Sequence, residues 1–328
     1  SKTINYKNAL IWTSITTLLG SIFALYIASE LIIVFKGEGL VPNQVIQLDS
    51  FPLAVGFAAA LTVMLATILR LPVSTTHALI GALSGAGIMA SNSGINWTSL
   101  LSKFFLPLIG GPVISLLLAY LMYPLFKVFK EKIIVKKLTK KVGTTPVAAN
   151  ILLSKYLDSP IVLKQDPSYQ VLTKNYFYNH VIEKLHFISS GLVCFARGLN
   201  DTPKIAALLL IGSRFHIEFS IIAVGLFILI GGLIHSKSIA KTMGENITSM
   251  DGEQALTANL VAGFMVLFAS RLGVPVSTTH VSCGAIFGIG ASKKDLDFKT
   301  LKNILLAWVT TLPLGFLVGA LIMYILTF

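Results

Sequence analysis

Six consecutive residues, Pro-Val-Ser-Thr-Thr-His, occur twice in this chain, as Pro72–His77 and as Pro275–His280. Each copy follows an apolar run that ends in arginine (Arg70, Arg271). Each opens a small-residue segment, Ala78–Gly87 in one case and Val281–Gly290 in the other. A duplication of this kind, in matching surroundings, marks two halves of an internal repeat. Proline has a fixed φ and no N–H, so it suits the start of a helix rather than its middle. The Ser and Thr that follow can cap a helix N-terminus. Free N–H groups and the positive dipole end favour an anion there. The bland alternative is a pair of loops with ordinary capping.

The setting decides what such a feature is for. The chain is 54% hydrophobic and only 12% charged, with a mean hydropathy of +0.79. That places it among integral membrane proteins. Apolar runs long enough to cross a bilayer are Ala9–Val34, Leu53–Leu69, Leu100–Phe126, Ile217–Ile234, Leu256–Ala269 and Leu301–Phe328. Broken backbone within a membrane is tolerated only where protein buries it or where it lines a cavity. No signal-peptide pattern is visible at the start. Cys194 and Cys283 lie in apolar segments and suggest neither a disulfide framework nor a metal site.

The formal charge of +12 does not point to nucleic acid, because eleven lysines fall between Lys127 and Lys184, the one long polar segment. With that segment cytoplasmic and each hairpin returning to its own side, nineteen basic residues lie inside and three outside. The two halves are then inverted. Lys130–Lys141 suits either a helix on an anionic membrane face or a solvated basic linker. Thr144-Thr145-Pro146 is a helix-start signal for Val147–Leu157. Pro107 and Gly110-Gly111-Pro112 are expected to kink the crossing that contains them.

The predicted fold is therefore an all-α polytopic membrane protein. It has two inverted-topology repeats with broken helices and paired helical hairpins. The expected parts are an N-terminal repeat over 1–126, a cytoplasmic linker over 127–184 and a C-terminal repeat over 185–328. Gly81, Gly85, Gly284 and Gly288 read as close helix packing.

Asn200-Asp201 is the sharpest polar signal. An aspartate at the centre of a spanning helix costs roughly 2.5–3.5 kcal/mol on insertion scales, so it marks function by default. Gly198 and Pro203 flank the pair and are expected to unwind the helix. Freed carbonyls, an Asn oxygen and a carboxylate would suit Na⁺; the carboxylate alone could carry H⁺. The structural alternative pairs Asp201 with Arg197 or Lys204. His77 and His280 are either proton-relay candidates or histidines bonded to backbone at a helix start. Arg70 and Arg271 either draw anions in or snorkel at the interface. No HExxH, GxSxG or metal-spaced Cys/His set indicates an enzyme.

Gly198-Leu-Asn-Asp201, with two Pro-Val-Ser-Thr-Thr-His segments in inverted halves, resembles the inorganic phosphate transporter (PiT) family along the whole chain. The resemblance implies a multi-pass membrane protein that is a cation-coupled symporter of inorganic phosphate. It would carry Na⁺ or H⁺ as coupling ion, have no cofactor and form a homodimer among membrane lipid. By position, Ser74, Thr75 and Thr76 with Ser277, Thr278 and Thr279 would line the phosphate site. Asn200 and Asp201 would serve cation coupling, holding sodium if Na⁺ is the ion. A symporter of another oxyanion such as sulfate, and a non-transporting truncated membrane protein, are the other readings.

The family has a Gly-x-Asn-Asp helix in each half, and only the second is present here. Ser1-Lys2 aligns with Ser213-Arg214, just beyond that helix. The expectation is a transporter lacking roughly one broken membrane helix before Ser1. The surface beside Ser74–Thr76 should then be more open than that beside Ser277–Thr279.

Overall fold

The structure is a computed structural model that describes residues 6–69, 71–91, 93–142, 176–211, 215–241, 243–244 and 247–327. The helix-start signal at 144–157 lies outside the described residues, as do Arg70 and Arg214. The described elements are helical: α1 (Tyr6–Ile27), α2 (Ser29–Phe35), α3 (Asn43–Ile46), α4 (Ser50–Ile68), α5 (Thr75–Ala90) and α6 (Trp97–Ser99). A π-helical stretch, Leu100–Phe105, leads into α7 (Leu106–Val142), followed by α8 (Tyr176–Leu209) and α9 (Ile217–Lys241). The chain ends with α10 (Gly252–Arg271), α11 (Thr278–Lys293) and α12 (Phe298–Thr327). Among the described residues, six segments are long and apolar enough to span a bilayer, and they coincide with the six apolar runs of the sequence.

Two boundaries differ from expectation. The run Ala9–Val34 is two helices, because α1 stops at Ile27 and α2 restarts at Ser29. The crossing that begins near Leu100 does not end at Phe126 but continues as α7 to Val142, through Pro112 and Pro124. The irregularity foreseen at Pro107–Pro112 sits one turn earlier, in the π-helical stretch.

Taking each hexapeptide with the two residues before it as an octet (70–77 and 273–280), the helices that the octets open, α5 and α11, are almost wholly buried, and the way they are buried explains their glycines. Helix α5 packs on α12, the last crossing of the other half, while α11 packs on α7. A Cβ on Gly81 would meet Leu312 O at 2.4 Å, and one on Gly85 would meet Phe316 O at 2.0 Å. In α11 the matching positions, Gly284 and Gly288, would meet Pro112 O at 2.4 Å and Leu116 O at 2.3 Å. It is one contact made twice, backbone against backbone, and only glycine permits it. The halves therefore interlock, each closing on the hairpin of the other.

Helix α8 runs between α1 and α10. It is not unwound: the helix is continuous from Tyr176 to Leu209 with Pro203 inside it. The flanking residues have other uses. Gly198 admits α1, since a Cβ there would lie 2.0 Å from Thr17 O, and Gly20 of α1 returns the contact at 2.0 Å from Phe195 O. Pro203 lacks only the one N–H that would reach Leu199 O, a loss a packed helix accommodates.

Candidate functional site

Both octets start helices as their sequences demand. Ser74 is the N-cap of α5, its side chain accepting from the backbone N–H of His77 at 3.1 Å. Ser277 caps α11 in the same way, accepting from His280 N–H at 3.2 Å. The two capped ends touch: Thr76 Oγ1 donates to Val276 O at 3.2 Å. Two positive dipole ends thus meet at one place in the interior.

Helix α8 delivers its charged residues to that place. Asn200 and Thr202 are fully buried and Asp201 is 5% exposed. The Asn200 amide donates to Val276 O at 3.1 Å and to Asp201 Oδ1 at 3.0 Å. Its oxygen accepts from Ser270 of α10 at 3.1 Å. Asn200 is therefore held at both ends. Thr278 Oγ1 donates to Asp201 Oδ2 at 3.3 Å. Thr202 is tied to Ser21 of α1 at 2.7 Å.

The residue that sequence reasoning undervalued is Lys204, read there only as a structural partner for Asp201. Its ammonium donates to Val276 O at 2.6 Å, to Thr76 Oγ1 at 2.9 Å and to Asp201 Oδ1 at 3.5 Å. The ring of Phe35 lies 5.6 Å away. The side chain is 0% exposed, and the ammonium bridges both octets directly. The signal was available: a lysine three residues after Asp201 shares its helix face, and a lysine in mid-span is as costly as an aspartate.

Arg197, one turn earlier, reaches Asp201 Oδ2 at 3.6 Å but is 57% exposed. The structural pairing weighed for Asp201 is thus realised with both cations at once. The two cations differ in setting: Arg197, like Arg271, is exposed, whereas Lys204 is fully buried.

Of the predicted anion ligands, Thr76 and Thr278 point into this cluster, Ser74 and Ser277 cap the helices beside it, and Thr75 and Thr279 are half-buried at its edge. The expected opening beside the first octet is not found. Ser74 and Thr76 are both 0% exposed, against 3% and 8% for Ser277 and Thr278. Lys204 bonds Thr76 there. An open apolar groove of about 720 Å³ lies between α4, α8 and α9. It is lined by Leu53, Phe57, Leu208 and Phe227 among others, and the octet hydroxyls do not line it.

The histidines face away from the charges. The rings of His77 and His280 meet edge to face at 4.4 Å, and His280 stacks on Trp308 at 3.8 Å. The indole donates to Pro72 O at 3.1 Å. Each histidine also meets backbone, His77 at Trp308 and His280 at Leu108. They floor an apolar cavity of about 630 Å³ between α7 and α12. This arrangement favours the structural reading of the pair over the relay.

Interlocked hairpins that present capped helix ends to a buried acid–base pair, among membrane-length helices, define an inverted-repeat secondary transporter. The chain matches the phosphate transporter family over residues 1–319 and belongs to that family. A Rhizobium meliloti protein described as a probable low-affinity inorganic phosphate transporter is 30% identical over 335 residues, covering 98% of this chain and 86% of its own. A candidate phosphate permease of Thermococcus kodakarensis is 28% identical over 310 residues, covering 82% of this chain and 76% of its own. Among solved structures, the sodium-dependent phosphate transporter is similar in fold with a TM-score of 0.77 at 23% identity, covering 99% of this chain and 91% of that one.

Proposed function

We propose that this chain moves inorganic phosphate across a membrane together with a cation, at the junction of α5, α8 and α11. The observation that carries this reading is the Lys204 ammonium, fully buried between the two capped helix ends. Its hydrogen-bond partners are neutral oxygens apart from one carboxylate oxygen at 3.5 Å. An anion brought to this point meets a buried cation, two positive helix ends and the hydroxyls of Thr76 and Thr278. Phosphate can replace Val276 O and Thr76 Oγ1 as acceptor for Lys204. Ser74, Thr75, Ser277 and Thr279 are the further ligands proposed around it.

Coupling follows from charge balance. Asp201 is balanced by Lys204 on one oxygen and Arg197 on the other. A phosphate that draws Lys204 away leaves the carboxylate short of a partner, and a buried uncompensated charge is costly. A cation bound at Asp201 restores the balance. Phosphate therefore strengthens cation binding, and by linkage the cation strengthens phosphate binding equally.

The protonated oxygen of phosphate near neutral pH can donate to Asp201, which an acceptor-only sulfate cannot. We further propose that the linker side is cytoplasmic, and that the protein works as a homodimer. No catalytic step is assigned to any residue. The test is phosphate uptake into proteoliposomes with Na⁺ and pH gradients imposed separately, with sulfate as competitor. Uptake driven by one gradient and unaffected by sulfate is the expected result. No uptake under either gradient rejects the reading, and equal competition by sulfate replaces phosphate with a wider oxyanion class.

A further inference from the structure

We propose that Lys204 is a tethered cation: it holds the cation position beside Asp201 whenever phosphate is absent, so Asn200 and Asp201 accept no sodium ion until the lysine leaves. The sequence assigns sodium to these two residues, and the geometry around them disagrees. A sodium site needs several unengaged hard oxygens with net negative charge. Here the Asn200 oxygen already accepts from Ser270 Oγ. Asp201 Oδ1 accepts from Asn200 and Lys204, and Oδ2 accepts from Thr278 and faces Arg197. The carboxylate's single charge is opposed by two cationic side chains.

The oxygens that would form a cation cage do exist, and the ammonium has them. A carbonyl at 2.6 Å, a hydroxyl at 2.9 Å and a carboxylate oxygen at 3.5 Å surround Lys204 Nζ. They come from both octets and from α8 itself. An ammonium on a side chain that is 0% exposed occupies this cage without an ion from solution. Its stem places it there, three residues after Asp201 on the same helix. Sodium would have to displace a covalently attached competitor whose effective concentration is far above that of a free ion. The consequence is an order of binding, phosphate first and cation second. That order rests on the transport reading above, whereas occupancy by Lys204 is tested without phosphate.

The experiment is equilibrium binding of radioactive sodium to the purified full chain in detergent, in choline buffer free of phosphate. The parent is expected to show no saturable binding. Lys204→Gln and Lys204→Met, each checked for a monodisperse elution profile, should bind sodium at least about tenfold more tightly than the parent. That gain should vanish when Asp201→Asn is added. Saturable binding by the parent that Asp201→Asn alone removes would overturn the proposal. So would two folded lysine variants that bind sodium no better than the parent. The parent measurement decides by itself if neither variant folds. Failure here leaves phosphate uptake, measured separately, untouched.

Discussion

The two octets share the same hexapeptide and the same caps, yet they do different work. Thr76 of the first accepts from the Lys204 ammonium, whereas Thr278 of the second donates to the Asp201 carboxylate. One octet is read by the positive end of a charged pair and the other by the negative end. Neither octet carries a charge of its own between its proline and its histidine. The difference comes from α8, which carries both charges three residues apart. Duplication supplies a pair of like helix ends, and the charges of α8 assign their roles.

The sharpest way to break this comparison is to remove the charge that separates the two octets. Asp201→Asn leaves Thr278 without its anionic acceptor and Lys204 without its counter-charge. The amide is similar in size, and Lys204 keeps Val276 O and Thr76. Loss should fall towards the lower end of the roughly 3–5 kcal/mol seen when a buried pair is broken, so the protein stays folded. Cation-dependent phosphate uptake should disappear. Undiminished uptake driven by Na⁺ or H⁺ would reject the coupling role.

The frame itself can be tested for equivalence. Gly85→Ala and Gly288→Ala each press a methyl into a carbonyl of the facing helix, at Phe316 and Leu116 respectively. Both should destabilise by about 1–3 kcal/mol, and by similar amounts, because the contact is the same one repeated. Thermal unfolding in detergent measures this. A large effect at one glycine and none at the other would mean the interlock is carried by one half.

Much of the frame was legible. The hexapeptide and its capping residues identify α5 and α11, and glycines four apart identify the close packing, because both are local features with one physical cause. What was not legible depends on contacts far apart in sequence. Lys204 is separated from Thr76 by 128 positions, and the pairing that buries it follows from hairpin interlock rather than from α8. The unwinding expected at Gly198 and Pro203 failed for the same reason. Glycine can break a helix or admit a neighbour, and only Thr17 of α1 shows which. The opening expected beside Ser74 is absent, since Ser74 and Thr76 are both fully buried, and Thr76 is bonded by that same distant lysine.

A milder comparison concerns the hydroxyls. Ser74→Ala and Ser277→Ala remove equivalent caps, and each should cost about 0.5–2 kcal/mol of stability. If phosphate binds between the helix ends, Thr75→Val and Thr278→Val should each weaken it, by roughly 1.5–3 kcal/mol per lost bond to a charged group. Thr278→Val should be the more harmful, since it also releases Asp201. Phosphate binding by titration calorimetry separates the cases. Four variants with the parent's affinity would leave the octets as structural caps.

The smallest effect is expected at the far ends of the octet helices, where the halves differ most openly. Helix α5 ends at Ala90 and runs into extended Ser91, whose hydroxyl meets Ser93 at 3.0 Å. Helix α11 ends on left-handed Lys294 (φ 58°), with Asp295 N–H closing onto Gly290 O at 3.0 Å. Asp295 then accepts from Ser249 at 2.8 Å and from Thr248 at 3.3 Å, with Lys293 at 3.5 Å. The Ser249 hydrogen bond first, and then the Lys293 charge, hold its carboxyl below the usual carboxylate range. A depressed folded value means the clasp stabilises above the unfolded carboxylate value and is lost as pH falls through the folded one. Asp295→Asn should therefore melt slightly below the parent near neutral pH, and the two should converge on acidification. The group is exposed and water screens it, so the effect on stability is small. A gap between parent and variant that persists unchanged into acid would mean that the charge is irrelevant and that only the turn geometry distinguishes the two helix ends.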